Sequence, residues 1–204
     1  MRLPTKDLLI VGLGNPGPDY AGTRHNLGCM CVEELASRLG VTLSRRRWRS
    51  RVASAPLRSS GQVWLIAPQT YMNLSGRAVA EAVRALGLPS SSVWVVHDEL
   101  DIPLCRLRIR REGSDAGHNG VASIMASLGT PKFARFRVGV GRPLSPRVDP
   151  IDYLLSPFSR KERALLPSVR AGVADALILA LESGLDKAME VYNRPGSLGC
   201  TEVA

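Results

Sequence analysis

A single α/β domain, with a mixed, mostly parallel sheet covered by helices on both faces, is the fold class this sequence predicts. Three observations carry it. Apolar strand-like runs alternate with helix-period segments along the chain, with no repeat, low-complexity tract or linker between them. The 204 residues, 45% of them hydrophobic, are enough for one full-sized core, so residues 1–204 are expected to form one domain. Finally, a hairpin-like pattern over residues 52–67 adds antiparallel pairing to an otherwise parallel arrangement.

In chain order, residues 8–13 form an unbroken apolar run that ends at a glycine turn and reads as a buried strand. Leu27, Met30, Cys31, Leu35 and Leu39 keep helical spacing, and Gly40 stands where a C-terminal cap belongs. Residues 52–57 and 63–67 read as strands around a Ser59-Ser60-Gly61 turn. A helix over 74–86 is closed by Gly87 and Pro89. Residues 93–96 form another buried strand, 105–110 alternate with period two, 121–128 suit a short helix and 133–140 a further strand. Ser159-Arg160-Lys161-Glu162 is a capping box opening a long helical tail.

The chain carries 27 Lys+Arg against 18 Asp+Glu, a net charge of +9, and its only lysines are Lys6, Lys132, Lys161 and Lys187. Such a balance points to a polyanionic partner, and the planar fork of arginine suits phosphate. The densest charge run is Arg45-Arg46-Arg47-Trp48-Arg49-Ser50-Arg51. As one strand it has two readings, a solvated edge guarded by charge or an RNA contact. No unbroken apolar run reaches the roughly 18 residues of a bilayer span. Only Met1 to Lys6 precede the first apolar run, so neither leader nor membrane anchor is expected, and the location expected is cytoplasmic. The four cysteines, Cys29, Cys31, Cys105 and Cys200, form no C-x-x-C pair and are expected as reduced, mostly buried thiols.

Gly12-Leu13-Gly14-Asn15-Pro16-Gly17 matches a dinucleotide fingerprint, but that motif needs a helix starting at its second glycine. Here Pro16 and Pro18 intervene, and helical spacing begins only near Asn26. Asn15 instead marks the carboxyl end of a strand, where open α/β sheets place ligands.

Each histidine lies in a polar turn next to an apolar element: His25 in Thr23-Arg24-His25-Asn26, His97 beside Asp98, and His118 beside Asn119. A histidine with a carboxylate forms a general-base unit, and His25 with Asp98 is the favoured pair because both reach one sheet edge. The competing reading makes His25 a turn residue that serves local structure. His97-Asp98-Glu99-Leu100-Asp101 also suits magnesium, although no further carboxylate comes from the neighbouring strand ends. Asn15, Asn73 and Asn119 offer the donor and acceptor that match a peptide group, or else cap helices and turns. No serine elbow or cysteine nucleophile is visible, which leaves an activated water.

Together, the glycine turn at 12–17, Thr23-Arg24-His25-Asn26, Tyr71-Met72-Asn73-Leu74-Ser75-Gly76, His97-Asp98-Glu99-Leu100-Asp101, Gly117-His118-Asn119-Gly120 and Arg135-Phe136-Arg137-Val138-Gly139-Val140-Gly141 resemble the bacterial-type peptidyl-tRNA hydrolases. The resemblance runs in order over about residues 8–192, leaving a tail at 193–204 expected to be flexible. It implies a monomeric domain with a twisted mixed sheet, acting without metal or cofactor on peptidyl-tRNA. It further implies His25 as base, Asp98 as its orienting acid and Asn15 as a third catalytic group. Tyr20, Met72, Asn73, His118 and Asn119 are implied to bind substrate, and Arg110 and Arg137 to clamp a tRNA phosphate. Arg110 replaces the family's lysine, the loop at 112–116 is less glycine-rich than the family's, and Leu104-Cys105 replaces small residues. A non-enzymatic RNA-binding protein and a nucleotide-dependent oxidoreductase are the rival readings.

Overall fold

The structure, a computed structural model, describes residues 7–57 and 61–200. Seven strands form one sheet: β1 (Leu8–Gly12), β2 (Arg45–Arg47), β3 (Ser50–Pro56), β4 (Gln62–Pro68), β5 (Val93–Glu99), β6 (Leu107–Arg110) and β7 (Ala134–Gly139). Their spatial order is β2-β3-β4-β1-β5-β7-β6. The four middle strands β4, β1, β5 and β7 run parallel, and the antiparallel pairings of β2, β3 and β6 lie outside them. All four parallel strands therefore end at one carboxyl edge, where a ligand site belongs.

The helices are α1 (Leu27–Arg38), α2 (Ser75–Leu86), α3 (Asn119–Leu128), α4 (Pro150–Leu155), α5 (Arg160–Ser183) and α6 (Leu185–Tyr192). Because side chains alternate along a strand, β1 feeds two cores. Ile10 joins Leu27 and Leu35 of α1 and Val173 of α5. Leu9 and Val11 join Val79 of α2 and Ile124 of α3 on the opposite face. The unbroken apolar run of β1 is thus the signature of a strand buried on both sides. Gly28 lets α1 lie against β5, since a Cβ there would collide with the Val96 carbonyl.

The expected helix at 121–128 begins two residues earlier, at Asn119, because His118 supplies the cap. The capping box at Ser159 and Glu162 is formed, and the helical tail breaks at Gly184 (φ +88°) into α5 and α6. By length and composition α5 could cross a membrane. Here it is a core helix whose Arg170 and Asp175 pair with Glu34 and Arg38 of α1. Residues 45–51 are a tight hairpin rather than one strand: Trp48 (φ +49°) and Arg49 (φ +51°) turn the chain between β2 and β3. The period-two segment pairs only from Leu107, since Cys105 (φ +69°) kinks the chain before it. Apart from Gly61, the expected Ser59-Ser60-Gly61 turn lies outside the described residues, as do 1–6 and 201–204.

Two expectations need correcting. Cys105 and Cys200 are joined in a disulfide, while Cys29 and Cys31 are free thiols. The two partners lie 95 residues apart in sequence, and only the folding of the tail onto the turn before β6 makes them neighbours. Nor does the tail hang loose from residue 193. The Asn193 side chain both accepts from Ile109 N–H (2.6 Å) and donates to Ile109 C=O (3.2 Å), sealing the outer edge of β6. Leu198 is buried at Gly172, where α5 leaves room for it.

Candidate active site

The carboxyl ends of β1 and β5 open into a cleft of about 570 Å³. Asn15, His25, Met72, Asn73, His118 and Asn119 line it, with Tyr71, Leu100 and the α4 residues Pro150, Ile151, Leu154 and Leu155 as apolar walls. The structure thus brings into one place residues from six separate stretches of sequence.

His25 lies in a 3₁₀ turn (Arg24–Asn26) that leads into α1. Its Nδ1 is 2.9 Å and 3.1 Å from the two carboxylate oxygens of Asp98, near the end of β5. Asp98 also receives His118 Nε2 at 3.0 Å. Burial of Asp98 pushes its pKa up, but the charges and hydrogen bonds of His118 and His25 outweigh burial and hold it well below the usual carboxylate range. An ionised Asp98 accepts from both rings, so the proton of neutral His25 sits on Nδ1 and Nε2 keeps its lone pair. That Nε2 has no hydrogen-bond partner among the described residues, and His25 lines the cleft.

The other two histidines are occupied. His118 Nδ1 accepts from Gly120 N–H (3.1 Å) and Val121 N–H (3.4 Å), capping α3, while its Nε2 donates to Asp98. With both nitrogens engaged, His118 lines the cleft with its ring. His97 packs edge-on against the His118 ring (4.7 Å between centroids) and donates Nδ1–H to the Asp98 main-chain carbonyl (2.7 Å). Burial, reinforced by the neighbouring His118, pushes its pKa down to about 3, so the ring stays neutral.

Asn15 is oriented by Asn26, to which the sequence reading gave no role, and by the main chain of Met72. Asn26 accepts from Asn15 N–H (2.8 Å) and donates to Asn15 C=O (2.9 Å). Asn15 Oδ1 accepts from Met72 N–H (2.8 Å), which fixes the side-chain amide with its NH₂ available as a donor. Met72 is buried, while Asn73 and Asn119 are exposed at the cleft rim with no side-chain hydrogen bond among the described residues. Arg24 is a second positioning group. Its guanidinium donates to the Ser156 hydroxyl (2.7 Å) and Pro157 carbonyl (2.9 Å), pairs with Glu162 (2.7 Å) and lies 4.0 Å over the Tyr153 ring, tying α4 to the turn that carries His25. Its signal was position alone, since Arg24 and Asn26 flank His25 in the motif.

Tyr20 does not line the cleft. It belongs to the turn at 17–23, where its carbonyl accepts from the Thr23 N–H (3.0 Å) and hydroxyl (2.8 Å). Arg110 and Arg137 do meet, at a neighbouring hollow of about 180 Å³ beneath the loop at 112–116. There Arg137 pairs with Glu99 at 2.9 Å, and Arg135, missed from sequence, lies buried with its Nε unpartnered. His25, Asp98 and His118 also have the composition of a metal site, their ligand atoms lying within 4.8 Å of one another. The two ring nitrogens, however, face the Asp98 oxygens at hydrogen-bond distance rather than a shared centre, so these residues do not fit an ion as arranged.

A histidine held by a buried carboxylate at the carboxyl edge of a parallel sheet defines the class, an α/β protein whose site has the groups that general-base chemistry requires. The family model described as peptidyl-tRNA hydrolase matches residues 9–198. The peptidyl-tRNA hydrolase of Chloroflexus aggregans is 47% identical over 186 residues, covering 91% of this chain and 98% of that protein. That of Carboxydothermus hydrogenoformans is 45% identical over 188 residues, covering 92% and 99%. The crystal structure of peptidyl-tRNA hydrolase from Acinetobacter baumannii superposes with a TM-score of 0.83 at 29% identity, covering 99% of each chain. The chain belongs to the peptidyl-tRNA hydrolase family.

Proposed function

We propose that this protein, acting as a cytoplasmic monomer, hydrolyses the ester that joins a peptide to tRNA, and that His25 is the base. The observation that carries the reading is the His25–Asp98 pair, which leaves one unprotonated imidazole nitrogen facing a cleft of substrate size. His25 Nε2 takes a proton from water as the water oxygen attacks the ester carbonyl. Asp98 stabilises the imidazolium that results. Collapse of the tetrahedral intermediate breaks the bond to the ribose oxygen, which leaves with the proton carried by His25. The NH₂ of Asn15, left free by the Met72 contact, would donate to the oxyanion, a contribution of about 3–4 kcal/mol for a well-aimed donor.

Asn73 and Asn119 at the rim are suited to the first peptide group, while Tyr71, Ile151 and Leu155, all exposed, offer apolar area to the peptide side chains. A free aminoacyl ester would bring a charged amine where an amide is expected, leaving polar groups unmatched. Arg110 and Arg137 at the adjacent hollow are suited to a tRNA phosphate.

Release of tRNA from N-acetyl-aminoacyl-tRNA tests the reading. Wild type cleaves it, and His25→Ala lowers kcat by about 10²–10⁴-fold. No cleavage by folded wild type, or an undiminished rate in His25→Ala, would overturn it.

A further inference from the structure

The arginine-rich hairpin is not used by the chemistry above. Arg45, Arg46 and Arg47 on β2 are all exposed. No acidic group pairs with them among the described residues, whereas Arg49 pairs with Glu81 and Arg51 with Glu33, each at 2.6 Å. The two ion pairs tie the turn to α2 and the strand to α1, so the hairpin is braced from both faces of the sheet. Trp48 meets Trp64 edge to face (5.5 Å), and the Arg47 guanidinium lies 4.6 Å over the Trp48 ring. Guarding an edge strand from aggregation needs a charge or two. Three successive arginines without an acidic partner among the described residues exceed that need.

Position supplies the second argument. Ser50 pairs with both Arg47 and Pro68, so the hairpin turn sits at the carboxyl end of β4, the edge of the sheet that carries the cleft. A hollow of about 200 Å³ shares Asn15 with the cleft and reaches Arg51 and Gln69 beside the hairpin turn. Arg137 lies on β7, five strand spacings from β2, or about 24 Å across the sheet. The cleft therefore lies between two basic regions, and the hollow that shares Asn15 with it extends toward the hairpin as far as Arg51.

We infer that the β2–β3 hairpin is a second docking surface for the phosphate backbone of the tRNA, on the opposite side of the cleft from Arg110 and Arg137. The inference rests on the tRNA substrate proposed above. Arginine forks on a braced, twisted edge strand suit phosphate oxygens of a backbone without reading bases. The Arg47 guanidinium gains a stacking partner in Trp48 while staying exposed.

The test replaces Arg45, Arg46 and Arg47 together, by Gln in one protein and by Lys in another, with thermal unfolding to verify folding. Each is assayed on N-acetyl-aminoacyl-tRNA and on the N-acetyl-aminoacyl ester of a CCA trinucleotide, which lacks the tRNA body. For full tRNA, the Gln protein should raise KM about tenfold at low salt with kcat changed less than twofold, and its log–log salt slope should shrink by about 2. The Lys protein should recover most of the affinity, and KM for the trinucleotide ester should stay within twofold. Unchanged KM and salt slope on full tRNA would overturn the inference. So would an equal loss on the short ester, which would assign the hairpin to the peptide instead. Filter binding of deacylated tRNA reads the surface without catalysis: weaker retention by the Gln protein supports the inference even if no ester is cleaved, and equal retention overturns it.

Discussion

Replacing Asp98 by Asn isolates the logic of the site, because the change is isosteric and removes only charge and symmetry. Asp98 accepts from His25 Nδ1 through both oxygens and from His118 Nε2 through Oδ1. An asparagine can keep one acceptor, and its NH₂ must then face a ring nitrogen that already carries a proton. His118 resists a tautomer change, since its Nδ1 accepts from Gly120 and Val121 and losing that cap would cost about 1 kcal/mol. The change falls on His25: the NH₂ of the introduced asparagine takes the position facing His25 alone, Nδ1 becomes the acceptor and the proton moves to Nε2. The base proposed above is then blocked. The corresponding change in a serine protease triad lowers kcat by about 10⁴, and a loss of about 10³–10⁴ is expected here, measured as release of tRNA from N-acetyl-aminoacyl-tRNA. Acid stability gives a second readout. The carboxyl of Asp98 titrates lower in the folded chain than in the unfolded chain. Its contribution is therefore complete above about pH 4 and is lost as pH falls below that. The Asp98→Asn protein should lack this part of the acid-denaturation slope. A folded Asp98→Asn protein within tenfold of wild-type kcat would refute the tautomer argument.

Two further outcomes follow from the same geometry. Because both ring nitrogens near Asp98 face its oxygens, exhaustive EDTA treatment should leave turnover unchanged; a lasting loss reversed by added magnesium or zinc would restore the metal reading of these residues. Closing a 95-residue separation, the Cys105–Cys200 bond should stabilise the oxidised protein by about 2–4 kcal/mol, so Cys200→Ser should lower Tm under oxidising conditions and match wild type in reductant; equal Tm values in both buffers would contradict this.

The middle of the fold was legible because its strands are buried on both sides and declare themselves as continuous apolar runs, as in residues 8–13. The hairpin at 45–51 was not, because its turn uses Trp48 and Arg49 where asparagine and glycine would announce a left-handed turn. What holds those residues there, Trp64 and Glu81, lies far along the chain. The same holds for Cys105 and Cys200. Free thiols were the sound expectation for Cys29 and Cys31, where burial pushes the Cys29 thiol up to about 12 and raises Cys31 as well. No spacing rule marked the other two as partners. Within the site, the motifs placed His25, Asp98 and Asn15 together, but the different duties of the histidines depend on hydrogen bonds to main-chain groups that a sequence does not display.

Those duties explain why one imidazole of three suits the role of base. His97 is enclosed and neutral, with its Nε2 unpartnered and its Nδ1 held by a main-chain carbonyl. His118 shares the carboxylate with His25 but holds the start of α3 with its remaining lone pair. By occupying Asp98 Oδ1, His118 leaves Oδ2 to His25 alone, so it fixes the carboxylate whose orientation sets the His25 tautomer. The ring of His25 is hemmed in turn by His118 at 4.9 Å between centroids, and its backbone by Arg24, which is locked to the far end of α4. In the role proposed for it, a His25 ring held this firmly has little orientational freedom to lose on reaching the transition state.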